Sequence, residues 1–181
     1  SITPANLKTG FIQKGTYTTT LNYEAFDAGA IPQAAAVQQA PTLVINVADL
    51  GELLVNNSDV TMSFNNLNDY TNGISINLNN ALTVSKTTAY DVYVKAASSN
   101  LVNGSNSIPV GCISVASSTG DPAVSPVTLS ATSQKIISAA APVIDKQVGL
   151  KYSIAADKVP QVLGKPAGTY STTLTYSFVA L

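Results

Sequence analysis

The stretch GTYSTTLTY, residues 168–176, decides the fold class because its side chains alternate in character. On an extended chain successive side chains point to opposite faces, so every second residue shares a face. One face here carries serine and threonine, whereas the other carries the large groups Tyr170, Leu174, Tyr176 and, two residues further on, Phe178. This pattern predicts a half-buried closing strand whose large side chains enter the core of a domain.

Runs with the same period of two recur along the chain, about a dozen residues apart and separated by turn-forming residues. They lie at 42–50, 59–67, 73–85, 89–97, 107–117, 127–137 and 148–156. Many short strands with this spacing predict an all-β protein, an antiparallel immunoglobulin-like sandwich. In its core, Val92 and Val94 are predicted to face Leu150, Tyr152 and Ile154.

Composition excludes several classes of function. Charged residues make up 10% of the chain, and its nine basic residues are all lysines, so no strongly basic face is available to neutralise a nucleic acid. Histidine is absent and Cys112 is the single cysteine, which leaves no Ser-His-Asp or Cys-His arrangement and no intrachain disulfide. We therefore expect a protein that is not an enzyme and has no cofactor or metal, with Cys112 buried as a small apolar side chain.

Two local features bear on ligands and on location. No apolar run approaches the roughly 20 residues that a membrane-spanning helix needs, so the chain is predicted not to span a membrane. It opens on Ser1 without a signal peptide, and we expect a processed or excised piece of a longer precursor. The segment NNLNDYTNG, residues 65–73, is predicted to be a turn that exposes Tyr70, and its oxygen groups leave calcium binding open.

The closing strand has a near copy at the start of the chain. Residues 15–23 read GTYTTTLNY, and seven of the nine positions are identical to residues 168–176. The similarity extends over residues 1–26, which are predicted to be either the end of a preceding domain or an extra N-terminal strand donated to another molecule. Residues 27–41, with two prolines, are predicted to be a linker, and residues 42–181 the sandwich domain.

A family resemblance rests on four stretches: PAGTYSTTLTYSF at 166–178, NALTVSKTTAYDVYVKAAS at 80–98, SIPVGCISV at 107–115 and VTLSATSQKIIS at 127–138. They resemble bacterial fimbrial and pilin-like surface-fibre domains of the kind found in Bacteroidota. The resemblance implies a pilin-like sandwich at the extracellular cell surface that works in a pilus or fimbrium as a structural or adhesive module. Chaperone-usher pilins usually carry a disulfide, and this chain departs from that pattern.

The resemblance also implies a mode of assembly, in which a strand from one subunit completes the fold of the next. The assembly strand would then use Tyr17, Thr19, Leu21 and Tyr23, which share one face. Self-association with identical or related subunits is the expected interaction, and a host or surface ligand is a further candidate. The alternative hypothesis is a glycan- or partner-binding accessory domain of a large secreted multidomain protein.

Overall fold

The computed structural model describes residues 3–22, 41–118 and 123–181, and the chain divides into two compact units, 1–49 and 50–181. Strands account for 51% of the structure and helices for 13%. Every pair of neighbouring strands is antiparallel. The predicted all-β, antiparallel, sandwich-like fold is therefore confirmed.

The first unit contains a short helix, α1 (Pro4–Gly10), and two strands, β1 (Gly15–Thr20) and β2 (Thr42–Val47). The helix begins as helices commonly do, with a proline in its first turn and the Thr3 hydroxyl accepting a hydrogen bond from the Asn6 N–H at 3.3 Å. β1 and β2 form a two-stranded sheet. β2 lies within residues 42–181, the range predicted for the sandwich domain. It nevertheless pairs with β1, the strand predicted to link neighbouring molecules.

The second unit contains one further helix, α2 (Leu67–Asn72), and ten strands. These are β3 (Gly51–Val55), β4 (Gly73–Lys86), β5 (Tyr90–Ala96), β6 (Asn100–Asn103), β7 (Asn106–Pro109), β8 (Ser114–Ser117), β9 (Val127–Thr128), β10 (Gln134–Ala140), β11 (Val143–Ala155) and β12 (Leu174–Ala180). Single 3-10 turns occupy Val110–Cys112 and Ala156–Gln161. The strands form a five-stranded sheet in the order β3-β4-β11-β8-β9, a three-stranded sheet in the order β10-β5-β12, and the hairpin β6-β7.

The core draws on strands from both larger sheets. Val92 and Val94 on β5 and Leu150 on β11 are fully buried. Tyr152 and Ile154, also on β11, have exposed fractions of 5% and 7%. Their predicted burial in one core is confirmed. The hydroxyl groups of Tyr152 on β11 and Tyr176 on β12 are hydrogen-bonded to each other, which joins the two sheets through the core. Burial raises the pKa of both phenols, so both remain neutral donors and acceptors.

A buried carboxylate fixes the irregular strand β10 against β5. The Asp91 side chain is 5% exposed and pairs with the Lys135 ammonium, and it also accepts the Ala139 N–H at 2.8 Å and the Tyr93 hydroxyl at 3.2 Å. Ala139 has φ of 48°, a left-handed conformation that costs an alanine energy, and the β10 register shifts around it. The hydrogen bond from Lys135 and that from Ala139 lower the pKa of Asp91.

Three predicted strands differ from the structure. The segment 59–67 forms no ladder, and α2 begins at its end, because Asn66 and Asp69 make a reciprocal capping box that starts a helix there. The segment 107–117 is interrupted by the turn Val110–Cys112, and 127–137 is interrupted between β9 and β10. Side-chain alternation indicated extended backbone in all three, but it carries no information about where the backbone finds ladder partners.

Candidate functional site

The two copies of the repeated segment share the local geometry of their glycine and tyrosine. Gly15 and Gly168 both have large positive φ, 159° and 151°, which a residue with a Cβ rarely adopts. Two residues further on, the Tyr17 hydroxyl donates to the Gln13 carbonyl and the Tyr170 hydroxyl donates to the Pro166 carbonyl, each at 2.9 Å and each four residues back. The two copies are thus alike not only in sequence but also in the backbone conformation of the glycine, which we call the corner, and in the hydrogen bond of the tyrosine, which we call the tyrosine anchor.

The pairing of the two copies also corresponds. Thr18 in β1 lies opposite Val44 of β2, and the equivalent Ser171 forms an isolated antiparallel bridge with Val102 of β6. Each of these valines follows a leucine, at positions 43 and 101. The first copy thus pairs with β2 along a six-residue ladder, whereas the second copy meets β6 at one equivalent position only. This Leu-Val correspondence is a signal that sequence reasoning missed.

The predicted assembly residues lie on a small and exposed sheet. Tyr17 is half-buried, with its ring edge-on to Phe11 at 5.1 Å, whereas Thr19 is exposed and Leu21 is 37% exposed. Tyr23 lies outside the described residues. Beside Tyr17 is a shallow apolar cleft of about 180 Å³, and Leu43 and Val44 on β2 are each nearly half exposed. An isolated two-stranded sheet is at best marginally stable, so this unit has apolar surface that another strand could cover.

The residues named for the closing strand lie against the core. Tyr170, Leu174, Tyr176 and Phe178 are half-buried and pack on core residues. β12 pairs with β5 along its whole length, from Leu174 opposite Ala96 to Ala180 opposite Tyr90. A Cβ at Gly51 would lie 2.8 Å from the Phe178 ring, so the ring needs a glycine there. The position that a Gly-Thr-Tyr strand takes in the sandwich is thus filled by the chain's own C-terminus.

The segment 65–73 is mostly helix α2 rather than the predicted turn. The Asp69 carboxylate accepts the N–H groups of Asn65 at 2.7 Å and Asn66 at 3.2 Å, and the Asn66 side chain accepts the Asp69 N–H at 3.2 Å. These oxygens therefore serve the start of the helix. Within residues 3–22, 41–118 and 123–181, no group of three or more acidic, cysteine or histidine side chains could hold a metal ion.

Tyr70 and its neighbours form the most exposed apolar corner of the second unit. Tyr70 is 39% exposed and lies against the ring of Phe64, with 5.0 Å between the ring centres. Leu67, one turn earlier on α2, is 82% exposed. The predicted exposure of Tyr70 is confirmed, and the corner offers an aromatic face to solvent.

The residues Val60–Phe64 form a strand-like segment without a strand partner, which we call the open edge. Val60, Met62 and Phe64 are half-buried against the core, whereas Thr61 and Ser63 are exposed, which is the period of an extended strand. Among the described residues, no backbone group of this segment makes a backbone hydrogen bond. The sequence predicted its alternation but not its lack of a partner.

No protein-family model matches this chain, and comparison with curated proteins finds no significant relative. Where the structure describes the chain, it has no helix with the length and apolar character to cross a bilayer. The features of the molecule that bear on its function are the repeated segment, the exposed sheet of the first unit and the open edge.

Proposed function

We propose that the chain is an extracellular structural module of a bacterial surface fibre, with an immunoglobulin-like or pilin-like sandwich joined to identical or related subunits by β-strand pairing. The observation that carries this proposal is the repeated segment: both copies hold the same Gly-Thr-Tyr sequence with a positive-φ glycine and the same tyrosine hydrogen bond, and both are paired at the equivalent residue, Thr18 or Ser171. Repeated strand units are suited to a protein whose subunits are joined end to end.

The first unit supports a role in assembly through its exposed surface. Leu21, Leu43 and Val44 are between 37% and 49% exposed, and the sheet has only two strands. A further strand paired at the free edge of this sheet would add main-chain hydrogen bonds, and its side chains would shield part of the apolar face that carries Leu21 and Leu43. Tyr17, Thr19, Leu21 and Tyr23 are the residues assigned to that contact.

The closing strand limits how such a link can form. Because β12 already fills the position next to β5, an added strand would have to displace it or use a different edge. Displacement would exchange an intramolecular contact, which benefits from a high effective concentration, for an intermolecular one. Addition at an unpaired edge avoids this loss, and we favour it.

Sedimentation velocity of the whole chain over a wide range of concentration tests the proposal. We expect polymers that grow with concentration and disappear in Leu21→Asp, because an unpaired carboxylate buried at each junction costs several kcal/mol. Thr20→Asp, on the opposite face, is the matched control and should polymerise nearly as the parent does. A parent that stays monomeric throughout would contradict the proposal and favour residues 1–26 as the remnant of a preceding domain.

The second candidate, a glycan- or partner-binding accessory domain, is favoured by the corner around Tyr70. Exposed aromatic rings bind the apolar faces of ligands, and Tyr70 offers such a ring beside Leu67. A glycan array probed with the whole chain distinguishes the two candidates. Binding that is lost in Tyr70→Ala, together with a monomeric parent, would replace the fibre proposal with this one.

A further inference from the structure

We infer that the open edge, Val60–Phe64, is the acceptor for β1 of a second copy of this chain, an inference that rests on the proposed self-association. The open edge already has the side-chain arrangement of a sheet strand, with Val60, Met62 and Phe64 on the core and Thr61 and Ser63 facing outward. What it lacks is a backbone partner among the described residues. An incoming strand would supply the hydrogen bonds without displacing any existing ladder.

β1 has the matching unpaired edge. Its sheet contains only β1 and β2 among the described residues, so one edge of β1 carries no ladder. We take the register that centres β1 on the open edge: with the half-buried side chains on one face, Tyr17 then lies opposite Met62, whether the strands run parallel or antiparallel. Two unpaired edges of similar length therefore occur on one chain, one in each unit.

Charge favours this pairing over an association of two identical edges. The open edge is flanked in the sequence by Asp59 and Asp69, with no lysine between them, and the segment Ala156–Gln161 that contacts α2 carries the ion pair of Lys158 with Asp157. β1 follows directly after the exposed Lys14, and residues 15–22 contain no acidic group. When β1 pairs with the open edge of another molecule, Lys14 can attract the aspartates that flank that edge. Two open edges side by side would instead bring their aspartates together, and these repel each other.

The geometry of such a contact suits a fibre. The two surfaces that meet are different, so the contact is heterologous and the resulting pair of molecules retains one unused edge of each kind. Unless the rotation between neighbours closes a ring, such contacts continue without limit. Pairing of the two edges thus explains how one chain could add copies in one direction.

Disulfide trapping between two populations of the full chain tests the inference. One population carries Thr18→Cys and the other carries either Thr61→Cys or Ser63→Cys, all in a Cys112→Ala background, so that no chain holds two thiols. Thr18 lies opposite residue 61 in the antiparallel arrangement and opposite residue 63 in the parallel one. We expect one of these mixtures to give mixed dimers under mild oxidation, since directly opposed strand residues meet the distance that a disulfide requires.

The control mixture pairs Thr18→Cys with Ser177→Cys, an exposed position on β12. Mixed dimers at 61 or 63, well above this control, support the inference and give the strand direction. Equal yields in all three mixtures, or none in any, overturn it. If the parent still polymerises in sedimentation, only the acceptor edge is wrong, and if the parent stays monomeric the proposed function fails as well.

Discussion

The two Gly-Thr-Tyr segments differ in what they pack against, although their local structures agree. In the first unit, residues 15–20 form a regular strand with one neighbour and leave most side chains exposed. In the sandwich, residues 168–173 make only a single bridge, and the chain then continues as β12 on β5 against the core. The corner and the tyrosine anchor are thus encoded within the segment, whereas burial depends on the sheet that receives it.

The largest expected effect is the loss of stability when the second copy of the repeated segment is deleted, compared with deletion of the first copy. Removing residues 168–181 takes Leu174, Tyr176 and Phe178 out of the core together with the β5-β12 ladder. These side chains are half-buried, so each contributes less than the roughly 1.5–3 kcal/mol of a fully buried one, but their loss together with the ladder is large against a total stability of about 5–15 kcal/mol. We expect calorimetry to show no cooperative unfolding transition for this variant.

Deletion of residues 1–22 is the matched control for that prediction. It removes the other copy, which belongs to a separate compact unit. The melting transition of the sandwich should remain close to that of the parent. A sandwich that melts cooperatively without residues 168–181 would contradict the difference in burial between the two copies.

A smaller effect is expected at the tyrosine pair that joins the sheets. Tyr176→Phe leaves the buried Tyr152 hydroxyl without its partner, which should lower the free energy of unfolding by about 1–3 kcal/mol. Tyr152→Phe should cost a similar amount. The double variant should recover much of the loss, since both polar groups are then gone. Urea unfolding of the four proteins measures this cycle, and additive losses would show that the two hydroxyls do not depend on each other.

The tyrosine anchors give a smaller contrast. Tyr170→Phe removes the hydrogen bond to the Pro166 carbonyl in the sandwich, and we expect a loss of about 1 kcal/mol in urea unfolding. Tyr17→Phe removes the same bond from the first unit and should leave the unfolding of the sandwich unchanged. Equal losses in the two variants would indicate that the first copy also supports the sandwich.

The last effect is a change in how stability depends on pH, and it concerns β5, the strand that receives the second copy. The pKa of Asp91 is lowered in the folded state below its ordinary 3.8, chiefly by Lys135 and Ala139, so the unfolded chain binds the proton first. The stabilisation is complete above that value and is lost as the pH falls through the folded pKa. Asp91→Asn should therefore flatten the acid limb of a stability-against-pH curve, while the exposed Asp157→Asn should not.

Period-two alternation was sufficient to predict the long strands and the core. It located β4 and β5 nearly in full and β11 from Val148 onward, and it identified Val92, Val94 and Leu150 as mutually buried residues. These elements are predictable because a half-buried strand must alternate wherever it lies. The repeated segment was equally visible, since near identity of sequence needs no knowledge of the fold.

Strand partners were the part that sequence could not supply. β2 and the open edge alternate as a sandwich strand does, yet one pairs outside the sandwich unit and the other has no ladder among the described residues. Backbone hydrogen bonds carry no side-chain signature, and short strands gain or lose partners through tertiary packing. For the candidate site, the sequence therefore predicted which faces are apolar but not which edges remain unpaired.

The single thiol of the chain lies within the sandwich and reports on its opening. Cys112 is 1% exposed, and burial raises the pKa of its thiol, so little thiolate forms and reagents cannot reach it in the closed state. A thiol reagent should label Cys112 only when the native structure opens transiently around it. The labelling rate then measures how often this opening occurs. The native thiol of Cys112 can thus be used to measure the lifetime of the closed state without introducing another cysteine.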